Sequence, residues 1–158
     1  MDIHVVKNNM SDAVNNLLSI VVPIFNEEAN IENLYNALCD IAEKLQHFND
    51  FEIIMVNDGS RDRSLEKLRE LAQKDIRVKV VSLTRNFGHE AATSTGINFA
   101  KGAAVFMLDA DLQDPPEMLL EFEKEYVKGF DIVVGQRVGR RGETVVKKIV
   151  SKNNYWSI

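Results

Sequence analysis

The stretch Ser19-Ile20-Val21-Val22-Pro23-Ile24-Phe25 is short, rich in Val and Ile, and closed by Asn26-Glu27-Glu28. A continuous apolar run of this length, bounded by polar residues, predicts a strand buried on both faces, as in a parallel sheet. Four more runs share these features: Phe51 to Val56, Val78 to Leu83, Ala103 to Leu108 and Asp131 to Val134. Helical spacing fills the gaps, with Ile31, Leu34, Leu38, Ile41 and Leu45 in the first and Leu65, Leu68, Leu71 and Ala72 in the second. Helix starts are expected at Asn26, at Ser60, and at Asp114 with Pro115 next and Glu117 three residues on. The resulting βαβαβαβ order predicts an α/β fold: a mostly parallel sheet with helices on both faces, binding ligands beyond the carboxyl ends of its strands. The loops after Phe25, Val56, Leu83 and Leu108 are therefore where a site is expected.

The 158 residues suit one domain, with residues 1–17 read as a flexible leader and 18–158 as the folded part. At 45% hydrophobic residues, including eight Phe, the chain can bury a sizeable core, which argues against disorder. The longest apolar stretches, Leu18 to Phe25 and Ala103 to Leu108, fall short of the roughly 18–20 residues that a bilayer-spanning helix requires. Residues 1–18 lack the pattern of a secretory signal, and a lone Cys39 cannot form an internal disulfide, so a reducing, cytoplasmic setting is expected. Charge divides unevenly along the chain. Of the net −5, the segment from Arg137 onward carries Arg137, Arg140, Arg141, Lys147, Lys148 and Lys152 against Glu143, a charge of +5 that leaves −10 on the rest. An acidic body argues against nucleic acid as a partner, whereas a short basic tail suits phosphates or an anionic membrane surface.

Three strand-end loops carry polar groups suited to a ligand. Phe25-Asn26-Glu27-Glu28 meets a helix start whose amides can receive an anion, and Phe25 offers an apolar wall for a planar base. Asn57-Asp58-Gly59-Ser60 places a carboxylate where it can accept an N–H from uracil or guanine, although an ordinary Asp-Gly turn accounts for the same residues. Asp109-Ala110-Asp111-Leu112-Gln113-Asp114 is the strongest signal, because three acids within six residues at the lip of the core repel one another. A cation relieves that repulsion. Carboxylates with the Gln113 amide form a hard oxygen set for Mg²⁺ or Mn²⁺ rather than zinc. Neither a phosphate-binding G-x-x-x-x-G-K-[ST] nor a dinucleotide G-x-G-x-x-G is present, and His4, His47 and His89 are too far apart for a zinc cluster.

Together, Ser19 to Glu27, Val56 to Ser60, Arg85-Asn86-Phe87-Gly88-His89 and Asp109 to Glu117 resemble the family 2 glycosyltransferases, and more narrowly the polyprenyl-phosphate glycosyltransferases that use bactoprenol or dolichol phosphate. The resemblance covers about Leu18 to Tyr155. It implies the GT-A, Rossmann-like fold of nucleotide-diphospho-sugar transferases, with Pro23, Phe25, Glu27 and Asp58 at the donor nucleoside. Arg85, Gly88, Asp109 and Ala110 would line the donor side. Asp109, Asp111 and Gln113 would serve the metal and diphosphate, and Asp111 and Arg137 the catalytic step. Arg137, Lys147 and Ser151 would meet the acceptor phosphate, with Lys147 standing where relatives often carry Arg, a point charge in place of a bidentate fork.

The implied activity is inverting transfer of a sugar from a UDP- or GDP-sugar to a polyprenyl phosphate at the cytoplasmic face of the membrane. A hydroxyl acceptor on a polysaccharide, or a nucleotide-sugar-binding fragment without turnover, stand as alternatives. The second follows from the chain's end at Ile158, inside what Thr144 to Trp156 suggests is a helix; a C-terminal part and any membrane anchor are expected beyond it.

Overall fold

The computed structural model describes residues 16–137 and 144–146. Among the described residues strands and helices alternate as far as two closing strands: β1 (Leu17–Ile24), α1 (Ile31–Ala42), β2 (Asp50–Asn57), α2 (Ser64–Lys74), β3 (Val78–Ser82), α3 (His89–Phe99), β4 (Ala104–Met107), α4 (Met118–Val127), β5 (Gly135–Arg137) and β6 (Thr144–Val146). The first four strands form one parallel sheet in the order β3-β2-β1-β4. Ile20 lies opposite both Ile53 and Phe106, so β1 is paired on both edges. The chain winds outward from β1 through β2 to β3, then returns to lay β4 against β1's free edge. That reversal opens a crevice between β1 and β4 at their carboxyl ends, the place where open α/β sheets bind ligands.

Each strand sends alternate residues to opposite faces. Leu18, Ile20, Val22, Ile24, Ile53, Met55 and Phe106 pack with Leu34, Leu38, Leu68 and Phe122 from α1, α2 and α4. Val21, Ile54, Val56, Val105 and Met107 face the other way, against Ala92 of α3. Gly96 lets α3 sit directly on the sheet, since a Cβ there would lie 2.3 Å from Val21 Cγ1 and 3.1 Å from Val56 Cγ2. At the opposite end from the crevice, buried Glu52 accepts hydrogen bonds from Ser19 Oγ (2.6 Å) and the Lys101 amide (2.8 Å) and pairs with Lys79 Nζ, tying three strands together.

Five sequence expectations are corrected. Asp131 to Val134 is not a strand: only Val133 of the apolar run is buried, and the chain becomes extended at Gly135, where it pairs antiparallel with β6 in a separate two-stranded sheet. Thr144–Val146 is accordingly a strand rather than the start of a helix. Asn26 and Ser60 do not cap α1 and α2. Asn26 Oδ1 accepts the Arg61 amide at 2.8 Å and Ser60 Oγ accepts the Asn26 amide at 3.0 Å, so each closes the other's loop. Asp114 likewise sits buried ahead of α4, which begins only at Met118 after a turn closed by the Met118 amide on the Pro115 carbonyl.

Candidate active site

A cleft of about 270 Å³ opens at the carboxyl ends of the strands, lined by Pro23 and Ile24 from β1 and Phe25 and Glu27 beyond it, by Asp58 beyond β2, by Asn86, His89 and Ala92 around the start of α3, and by Asp109, Ala110 and Asp111 beyond β4. It lies at the β1–β4 reversal. Of the donor and metal residues expected from sequence, Pro23, Phe25, Glu27, Asp58, Asp109, Ala110 and Asp111 share this cleft. Phe25 is 42% exposed, a large apolar ring left open at a polar mouth.

The walls are built by bonds between loops distant in sequence. The two loops following β1 and β2 are stapled by Glu27's amide on Ser64 Oγ (2.9 Å), Glu28's amide on Asp62 (3.1 Å) and Arg63's amide on Glu28 (2.8 Å), besides the Asn26–Ser60–Arg61 bonds. Burial pushes the Asp62 carboxyl up, but bonds from Ser64 and the Glu28 amide outweigh it and hold its pKa below the ordinary carboxylate value. Asp58, 3% exposed, accepts the Phe87 amide on Oδ1 (2.7 Å) and the Gly88 amide on Oδ2 (2.9 Å). Both oxygens thus hold the β3–α3 loop. Gly59 presses against that loop: a Cβ on it would lie 2.4 Å from the Arg85 carbonyl carbon, and its φ of +66° is one that L side chains rarely adopt.

Arg85, Gly88 and Gln113 stand outside the cleft lining. The Arg85 guanidinium stacks 4.6 Å from the centre of the exposed Phe87 ring, Gly88 contributes its backbone amide to Asp58, and the Gln113 backbone N–H, not its side chain, donates to Asp111 Oδ1 at 3.0 Å. Arg137 falls in the separate β5–β6 sheet, while Lys147 and Ser151 lie outside the described residues. Four lining residues escaped the sequence reading, the apolar Ile24 and Ala92 and the polar Asn86 and His89. His89 Nε2 is 2.7 Å from Asp109 Oδ1. The signal available for Asn86 and His89 was their place in the Arg85–His89 loop, directly before or at the start of α3.

Among the described residues, no three His, Cys, Asp or Glu side chains converge as a ready metal cage. Two carboxylates on one cleft still suit Mg²⁺ or Mn²⁺, since such ions commonly take one or two protein carboxylates and complete their shell with substrate phosphates and water. Asp109 and Asp111 meet that description. No helix among the described residues is long and apolar enough to cross a membrane.

Open parallel α/β sheets hold ligands in the crevice beyond the carboxyl ends of their strands, and that is where Asp109 and Asp111 lie. The sequence model of Glycosyl transferase family 2 matches residues 19–158, and the chain belongs to that family. It is 46% identical over 138 residues to an uncharacterized glycosyltransferase, sll0501, of Synechocystis, covering 87% of this chain and 43% of that protein. It is 41% identical over 136 residues to the undecaprenyl-phosphate 4-deoxy-4-formamido-L-arabinose transferase of Pseudomonas fluorescens, covering 85% and 39%. The chain thus spans about two fifths of the length of these relatives. Among solved structures, residues 1–349 of S. aureus TarS give a TM-score of 0.56 at 26% identity over 70% of this chain and 32% of that one. The same fragment in complex with UDP gives 0.51 at 28% identity, over 60% and 27%. These likenesses establish the GT-A-type sheet.

Proposed function

We propose that this chain is the donor-binding part of an inverting glycosyltransferase that moves a sugar from a nucleotide-sugar donor to a polyprenyl phosphate. The observation that carries the reading is the meeting of Asp109 and Asp111 with Phe25, Glu27 and Asp58 in one cleft at the β1–β4 reversal. The UDP held by the TarS fragment supports a nucleoside diphosphate at this place, and the name of the Pseudomonas relative supports a lipid phosphate as acceptor.

In this reading the Phe25 ring and Pro23 wall the base, Asp58 and Glu27 border the nucleoside, and Ala110 with the Arg85–Gly88 loop closes the donor side. Asp109 and Asp111 would hold a Mg²⁺ or Mn²⁺ ion, which would supply neutralisation of the charge developing on the departing diphosphate. An acceptor phosphate oxygen attacks the anomeric carbon from the face opposite the diphosphate; the new C–O bond forms as the old one breaks, its electron pair leaves on the nucleoside diphosphate, and configuration inverts. The acceptor phosphate is already ionised near neutral pH, so no side chain has to take a proton from it. Arg137, Lys147 and Ser151 are assigned to the acceptor phosphate, and the basic tail to an anionic membrane surface on the cytoplasmic side, at about 1 kcal/mol per basic residue near the surface.

Because the chain spans about two fifths of its relatives, a second reading is a nucleotide-sugar-binding unit without turnover of its own. Incubation with radiolabelled UDP- and GDP-sugars, Mn²⁺ and undecaprenyl phosphate separates the two. Label passing to the lipid supports transfer, binding without label in lipid supports the second reading, and no binding of any nucleotide overturns both.

A further inference from the structure

We propose that His89 is a positioning residue: it holds the Asp109 carboxylate by one oxygen so that the other is presented to a divalent cation. The inference rests on the reading of Asp109 and Asp111 as the cation-holding pair and adds a residue which that reading does not contain.

Two carboxylates on one small cleft repel each other, and an unrestrained Asp109 would turn away from Asp111. His89 prevents this. An ionised carboxylate can only accept, so the bond of 2.7 Å between His89 Nε2 and Asp109 Oδ1 has the imidazole N–H as donor. It occupies Oδ1 and leaves Oδ2 unengaged by the histidine. His89 is in turn fixed from behind. It is the first residue of α3, and the two amides before it, those of Phe87 and Gly88, are clasped by the buried Asp58. Its own carbonyl accepts Thr93 Oγ1 at 2.9 Å within the first turn of the helix. A continuous set of bonds therefore runs from the end of β2, through the start of α3, to the lip beyond β4. Groups that orient a ligating carboxylate in this way commonly carry ten- to a hundredfold in metal affinity.

The role is structural only at the cleft. The His89 side chain is 61% exposed and outside both apolar cores, so its removal leaves the fold intact. The test is Mn²⁺ binding to the 158-residue chain in the presence of UDP, followed by the electron paramagnetic resonance signal of free Mn²⁺, in wild type, His89→Ala and His89→Gln, with thermal unfolding of each recorded alongside. Gln carries an amide N–H at the reach of Nε2. The expected result is a Kd for Mn²⁺ raised about tenfold in His89→Ala, restored to near wild type in His89→Gln, with unchanged unfolding temperatures. Equal or tighter binding in His89→Ala, or His89→Gln as weak as His89→Ala, overturns the positioning role while leaving the cation site standing. Absence of Mn²⁺ binding in the wild type overturns the cation site and the positioning role with it.

Discussion

Asp58 and Gly88, separated by thirty residues, are joined by a 2.9 Å hydrogen bond from the Gly88 amide to the Asp58 carboxylate, whose other oxygen takes the Phe87 amide at 2.7 Å. The end of β2 thereby sets the loop that carries Asn86 and His89 into the cleft. Replacing Asp58 by Asn turns one acceptor into a donor facing an amide N–H and removes the charge that strengthens the other bond. Loss of a buried, charge-assisted bond of this kind costs about 2 kcal/mol. Urea unfolding of Asp58→Asn should show that loss, and UDP binding should weaken with it.

Gly59 is required twice over at the same junction, by its φ of +66° and by the Arg85 carbonyl carbon 2.4 Å from where a Cβ would stand. Gly129 provides the comparison, with a φ of +88° and open space around it. Gly129→Ala should cost only the backbone strain, about 1 to 2 kcal/mol. Gly59→Ala should cost more and displace the Arg85–Gly88 loop, read as a larger fall in unfolding temperature together with weaker nucleotide binding. Equal falls in the two variants would contradict the close packing.

Gly96 argues the same point inside a helix. Ala is the better helix former by about 1 kcal/mol, yet a methyl at position 96 would collide with Val21 Cγ1. Overpacking of this kind typically costs about 1 to 3 kcal/mol, so Gly96→Ala should destabilise the chain. Adding Val21→Ala, which vacates the colliding methyl, should recover part of the loss. A double variant no more stable than Gly96→Ala alone would count against direct contact.

Acid should weaken the fold through two carboxylates remote from the cleft. The Arg77 guanidinium beside Asp75, against some burial and helped by the Tyr35 hydroxyl at 2.8 Å, holds that carboxyl at about 2. Burial pushes the Glu52 carboxyl up, but Lys79, Ser19 and the Lys101 amide outweigh it, so it too lies below its ordinary value. Both groups bind protons more readily in the unfolded chain. Their stabilisation is therefore complete above the unfolded carboxylate range near pH 4 and is lost as pH falls, toward pH 2 for Asp75. Urea midpoints at pH 7, 4 and 3 should fall in that order, and Asp75→Asn should flatten the acid limb.

The four strands of the parallel sheet were legible in the sequence to within a residue or two. β3, expected to be buried on both faces, is an edge strand with only Val78 buried and was legible from its valines. β1, β2 and β4 are buried on both faces, which demands unbroken apolar runs such as Ile20 to Ile24. The acidic cleft was legible for the same reason: Asp109 and Asp111 follow directly where β4's apolar run stops. Helix starts were less so. Asn26 and Ser60 look like caps locally, but their partners lie 34 and 35 residues away, on each other's loops. Asp131 to Val134 has the apolar composition of a strand, yet the chain extends and pairs only from Gly135. His89 stayed hidden because its meaning depends on Asp109, twenty residues on, and on the loop geometry that Asp58 and Gly59 impose.

Titration calorimetry of UDP into the 158-residue chain, with Mn²⁺ and with a chelator, in wild type and Asp111→Asn, tests most directly whether paired acids at the β4 end hold a cation beside a nucleoside diphosphate. The wild type with Mn²⁺ should give heat of binding that is lost on chelation or in Asp111→Asn. Wild-type binding that is indifferent to the metal, or an Asp111→Asn variant that binds UDP as tightly as wild type, would contradict a cation held there.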